Sequence, residues 1–223
     1  INSSRAPIFG GDITNYVTGT AIPLYTWTHI AVVRNGTAMV LYQNGVSTST
    51  ATTSQNFSYT GTTGIGRSSP TAAYYLNGNI SNFRIVVGTA VYTSAFTPPT
   101  TPFTTDSNTI LLMNYTNGSV FDNTAKNVIS TYGSAAISTT QSKFGGSSIS
   151  FNGTTDYALM QGNYNGTFGT GNFTIEAWIY VTYAFGTTGQ GRGVIVANRS
   201  AATSTTDWSL QHYNGKLYFS HAS

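Results

Sequence analysis

Two Asn-Gly pairs, each set between runs of β-prone residues, constrain this chain more than any other feature. The run Trp27-Thr28-His29-Ile30-Ala31-Val32-Val33-Arg34 leads into Asn35-Gly36, and Met39-Val40-Leu41-Tyr42-Gln43 leads into Asn44-Gly45-Val46. Both central residues of a type I′ turn need positive φ, which Asn and Gly adopt at least cost, so each pair predicts a tight hairpin. The remaining readable elements keep a period of two rather than 3.6. Further strands are expected at Gly64 to Arg67, Gly78 to Val87, Thr109 to Tyr115, Ser147 to Asn152, Asp156 to Met160 and Phe173 to Thr182. Three more are expected at Gly193 to Asn198, Trp208 to His212 and Lys216 to His221. Many short strands with Gly and Asn turns predict an all-β antiparallel sandwich.

Composition agrees. Charged residues are 7% of the chain, against about 25% in ordinary soluble domains, yet 39% of residues are hydrophobic and 13% aromatic. That excludes a disordered polyelectrolyte. The polar residues are mainly Thr, Ser, Asn and Gly, which suit turns and sheet surfaces better than helices. Nine Lys and Arg against six Asp and Glu leave a net charge of +3, and these residues are scattered. No basic stripe offers itself to nucleic acid. With no Cys there is neither a disulfide framework nor a thiolate metal site. No uninterrupted apolar run approaches the roughly 18 residues of a membrane helix, so no membrane insertion is expected.

The one prominent break is Phe96-Thr97-Pro98-Pro99-Thr100-Thr101-Pro102-Phe103-Thr104-Thr105, which reads as a joint between two β-rich halves. The second half resembles the front of a laminin-G-like, concanavalin A-like jelly roll. The residues that carry this are Lys143-Phe144-Gly145, Ser148-Ile149-Ser150-Phe151-Asn152-Gly153 through Asp156-Tyr157, Phe173-Thr174-Ile175-Glu176-Ala177-Trp178, and Trp208-Ser209-Leu210 with Gly215-Lys216-Leu217-Tyr218-Phe219. The first half resembles the back of the same domain, through Trp27 to Arg34, Leu41-Tyr42-Gln43-Asn44-Gly45 and Tyr75-Leu76-Asn77-Gly78-Asn79-Ile80 to Ile85. Gly88 to Pro99 and Leu111 to Asn117 are similar to segments between domains in large tandem proteins of marine bacteriophages. The resemblance implies an all-β, concanavalin A-like/laminin-G-like antiparallel jelly-roll sandwich.

The order of the halves is inverted. Residues 1–104 read as the C-terminal half of such a domain, ending in a Pro/Thr linker, and 105–223 as its N-terminal half. The stretch is then one period of a tandem array cut mid-domain, or a circularly permuted single domain.

Chemistry has few carriers. A retaining glycosidase needs two carboxylates about 5 to 5.5 Å apart. Glu176 is the sole Glu, and alternation in Ile175-Glu176-Ala177-Trp178 places it at an outward position on a half-buried strand with no acid nearby on that face. His29, His212 and His221 lack the surroundings of a nucleophile's base or a zinc site. No catalytic residue is expected.

The resemblance implies that calcium could sit on a loop rim, with Asp156 and Asn152 as ligands and Asp122 or Asp106 further off; the family's extra acid in that loop is replaced by Thr154 or Thr155. Carbohydrate binding needs aromatic rings for stacking and amides for hydroxyls. Tyr74, Tyr75 and Asn77, Tyr183 and Phe185, and Tyr213 could supply these.

The leading expectation is a non-enzymatic structural module of an extracellular, virion or cell-surface fibre, partnered by adjacent copies of itself and requiring no cofactor. A lectin-like adhesion module binding surface glycans, with or without calcium, is the alternative.

Overall fold

The structure, a computed structural model, describes residues 13–68, 74–115, 119–162, 166–183, 192–199 and 206–222. In chain order the strands are β1 (Ile13–Ala21), β2 (Trp27–Asn35), β3 (Ala38–Gln43), β4 (Val46–Thr52) and β5 (Thr63–Ile65). There follow β6 (Asn77–Val87), β7 (Thr109–Met113), β8 (Asn127–Tyr132), β9 (Ala136–Ser138) and β10 (Ser148–Asn152). The last are β11 (Tyr157–Gly162), β12 (Phe173–Val181), β13 (Arg192–Asn198), β14 (Trp208–Tyr213) and β15 (Lys216–Ala222). No helix occurs among the described residues.

Two antiparallel sheets form the sandwich that the alternation predicts. One has the order β4-β3-β2-β12-β6-β10-β9, with β7 paired to β6; the other has the order β1-β15-β14-β13-β5-β11-β8. Both halves of the chain are interleaved in each. Strand β12 lies between β2 and β6, pairing Ile175 with Val32 on one side and with Ile85 on the other. In the second sheet β1 pairs with β15, Ile13 opposite Ala222.

Three Asn-Gly turns show how local chemistry sets register. Asn44-Gly45 and Asn214-Gly215 each have both residues at positive φ, between the pairs Gln43↔Val46 and Tyr213↔Lys216. These are type I′ turns. The first turn differs from expectation: Asn35 pairs with Ala38, so the central residues are Gly36 and Thr37, and of these only Gly36 has positive φ. One tertiary bond and one local bond hold this shifted register: Gly36 N–H donates to Asn172 Oδ1 (2.7 Å), and Arg34 Nε donates to Gly36 O two residues on (2.9 Å).

The inner faces of the sheets bury one continuous core. Ile30, Val32, Phe83, Ile85, Ile175, Ala177 and Ile179 face Met160, Val196, Trp208, Leu210, Leu217 and Phe219. Phe57, Phe168, Phe173, Trp208 and Phe219 form a run of ring contacts, with Phe168 and Phe173 stacked at 4.4 Å and Trp208 Nε1 donating to Gly166 O. Fully burying such a side chain is worth roughly 1.5–3 kcal/mol. Alternation leaves open which of Ala177 and Trp178 points inward; Ala177 does, and Trp178 belongs to a separate cluster with Phe103 and Leu112.

That second cluster reveals a third layer. Residues 88–104, which take in most of the stretch Phe96 to Thr105 read in sequence as a joint, fold over the outer face of the sheet containing β2, β6 and β12. Tyr92 and Phe96 stack on each other at 3.5 Å and pack on Ala31, Val33 and Tyr42, while Phe103 packs on Trp178. Phe96 N–H donates to Gly45 O, and Val91 N–H to Thr174 Oγ1. The stretch is a strap, fastened at both ends and in the middle.

Candidate functional site

Beneath the strap Glu176, Arg84 and His29 come together. Glu176 does point away from the inter-sheet core, as alternation requires, but it is fully buried rather than half-exposed. Its Oε1 accepts from Arg84 Nε and Nη2, and its Oε2 accepts from Tyr92 Oη (2.8 Å) and faces His29 Nε2 (3.3 Å). Each partner comes from a different element: His29 from β2, Arg84 from β6, Tyr92 from the strap. Burial on its own would raise the Glu176 pKa. The His29 hydrogen bond, the Arg84 charge and the Tyr92 hydroxyl outweigh it and hold the carboxyl below its ordinary value. Burial, reinforced by the Glu176 charge, pushes the Tyr92 phenol far up, so it serves as a donor. His29 is walled by the rings of Tyr92, Phe96, Phe103 and Trp178 at 5.3–6.3 Å. Such a carboxylate is a fastening, closed to substrate.

Sequence reasoning missed Arg84 and Tyr92 as partners of Glu176. A signal was present, since a Glu and an Arg in the middle of otherwise uncharged strands each demand an opposite charge if buried.

Other carboxylates are used in the same way. Asp122 accepts from the backbone of Leu112, Thr124 and Asn127 and from two side chains. Asp106 accepts from Asn108 N–H and Thr109 Oγ1, and Asp207 faces Arg199 Nε at 3.6 Å. Asp156 and Asn152 lie together in the β10–β11 loop. Asp156 accepts from Ser134 N–H, Asn152 N–H and Thr155 Oγ1, and Asn152 Oδ1 accepts from the N–H groups of Thr154, Thr155 and Asp156. These hydrogen bonds order the loop through its own donors, and Asp156 Oδ2 accepts one of them, from Asn152 N–H. Among the described residues no three acidic, His or Cys side chains cluster as metal ligands.

The candidate sugar-contacting residues separate into three places. Tyr74 and Tyr213 flank Arg192, whose guanidinium lies 5.5 and 5.1 Å from their ring centres. Tyr75 sits beside Tyr157 at 6.3 Å. Asn77 accepts from Thr182 Oγ1 through its side chain, and the next residue, Tyr183, is 56% exposed. Phe185 lies outside the described residues. Around Tyr75 the structure adds residues that the sequence did not single out. Tyr157 is sandwiched between Arg67, 3.5 Å above its ring, and Tyr132, stacked at 4.6 Å and 2°. A cation over one face and a parallel ring on the other hold this stack rigid.

Residues 5–100 match the family model described as the concanavalin A-like lectin/glucanases superfamily, a laminin-G model. No curated protein and no solved structure matches the chain.

Proposed function

We propose that this laminin-G-like sandwich is a non-enzymatic structural module of an extracellular or virion appendage built from repeated copies. The observation that carries the reading is the enclosure of Glu176. The only Glu of the chain is spent on Arg84, Tyr92 and His29 beneath the strap, where it fastens three elements together. The near absence of charge, the lack of Cys and the Thr/Ser/Asn/Gly surface suit a protein outside the cell, indifferent to redox state and salt. The interleaved strands allow the same sandwich to close within one chain or between head-to-tail neighbours, as in a domain swap. The similarity of 88–99 and 111–117 to segments of tandem phage proteins favours a virion.

The test is gold-labelled antibody against this chain, applied to intact particles and cells of the source. Label along an external appendage is expected. Label confined to the lysed interior, or hydrolysis of polysaccharides by the purified chain, would overturn the assignment.

A glycan-binding rim is favoured as a second reading by Tyr75 and the partly exposed Tyr132, which flank the closed Arg67–Tyr157 stack, since sugars lie on flat aromatic faces. A glycan array read with and without chelator tests it. Retained signal that Tyr75→Ala abolishes is expected; a blank array overturns it.

A further inference from the structure

Among the described residues five strands, β1, β4, β7, β8 and β9, have a single strand partner, and they are not protected alike. Beside β7 runs the segment that follows it, Leu112 N–H donating to Asp122 Oδ1 and Asn123 N–H to Leu112 O. Edge β1 is tied across the sandwich to the opposite sheet, with Thr18 N–H donating to Ser49 Oγ of edge β4 and Thr20 N–H to Gln43 Oε1 of β3. Edge β9 is only 3 residues long. Edge β8 is 6 residues long, Asn-Val-Ile-Ser-Thr-Tyr, and it ends its sheet with no further strand partner among the described residues. It carries none of the devices that keep an edge from pairing: no charge, no Pro, and no bulge in its one-to-one register with β11. Of the charges that precede it, Asp122 is buried while Lys126 is exposed, and both are already bonded within the chain. Lys126 donates to Thr109 O at 2.6 Å, and Asp122 is consumed by Leu112, Thr124 and Asn127.

Exposed apolar residues gather along the same edge. Val128 is 64% exposed and Tyr132 38%. Val128, Ser130 and Tyr132 share the outward face, because Ile129 packs on the core. Tyr132 is held flat by Tyr157 and Arg67 behind it.

We propose that β8 is the contact strand of a two-fold dimer, in which a second copy of this chain lays its own β8 antiparallel against it and continues the seven-stranded sheet. A second copy is the occupant because the strand is self-complementary in one register. With Ser130 on the two-fold axis, Val128 falls opposite the partner's Tyr132, and Tyr132 opposite Val128 of the partner subunit. Both exposed apolar side chains then meet in aromatic–β-branched cross-strand pairs, and no like charges oppose each other. The contact is lateral and independent of any head-to-tail repetition.

Analytical ultracentrifugation of the chain, from roughly 1 to 200 µM, tests it by mass action. A monomer–dimer equilibrium is expected. Ser130→Lys places two ammonium groups face to face on the axis, so the variant should sediment as monomer at every concentration with an unchanged circular dichroism spectrum. Mixing it with Ser130→Glu should restore the dimer, because each axis position then holds opposite charges. A monomeric parent chain overturns the proposal. So does a Ser130→Lys variant that still dimerises, or a charge-swapped mixture that stays monomeric; the last result would point instead to an extended peptide of another protein as the strand's partner.

Discussion

Glu176 Oε1 lies 2.7 Å from Arg84 Nε and 2.5 Å from Arg84 Nη2, so one carboxylate oxygen takes both hydrogens of the guanidinium edge. The remaining Arg84 nitrogen, Nη1, donates to Thr104 O at 3.1 Å. One ion pair between neighbouring strands thereby anchors the far end of the strap.

Replacing Glu176 by Gln leaves Arg84 with no counter-charge beneath the strap. The variant should lose about 3 kcal/mol in urea denaturation, in line with breaking a buried pair from one side. The loss should depend on pH. The folded carboxyl pKa is depressed below its unfolded value of 4.5, so its stabilising contribution is complete above that value and disappears as pH falls through the folded one. The gap between parent and Glu176→Gln should therefore narrow steadily below about pH 4.5.

Gly45 is the seat of the strap. Its φ is +79°, and a Cβ there would lie 1.8 Å from Phe96 O. Gly45→Ala should cost more than about 1 kcal/mol. Proteolysis within 88–104 should accelerate, which peptide mapping would show.

Trp178→Ala should cost on the order of 3 to 5 kcal/mol. The indole is 6% exposed, packed on Phe103, Phe144 and Leu112 with the Lys143 ammonium 3.9 Å from its ring. A thermal or urea titration that finds less than 1 kcal/mol lost would mean that the outer layer adds little to stability.

Asp156→Ala should lower stability by about 1–3 kcal/mol, because the N–H groups of Ser134 and Asn152 lose their acceptor. Since the loop is already ordered by its own donors and no three acidic, His or Cys side chains cluster among the described residues, the melting midpoint of the parent chain should be the same with calcium and with chelator. A rise with calcium that Asp156→Ala removes would make the loop a metal site.

Strands that bury a face were legible in the sequence, and strands at the rim were not. β2, β6, β12 and β14 alternate or run apolar because one or both faces are covered, and each was expected within a residue or two of its bounds. β4 is Val-Ser-Thr-Ser-Thr-Ala-Thr and largely exposed; β8 and β9 are edges as well. An edge strand is held by backbone pairing, which leaves no hydrophobic pattern to read.

The buried strands, the Asn-Gly turns and the two-sheet class follow from the chain's own alternation and turn chemistry, which act over a few residues. Only the tertiary structure decided what becomes of the outward faces. Glu176 reads as a surface residue until residues 84, 92 and 29 are brought to it from 92, 84 and 147 positions away. Likewise Tyr132, Tyr157 and Arg67 become one stack only when β8 and β11 pair beside the end of β5. Periodicity tells which way a side chain points. What covers it depends on contacts between distant segments, and no local pattern encodes those.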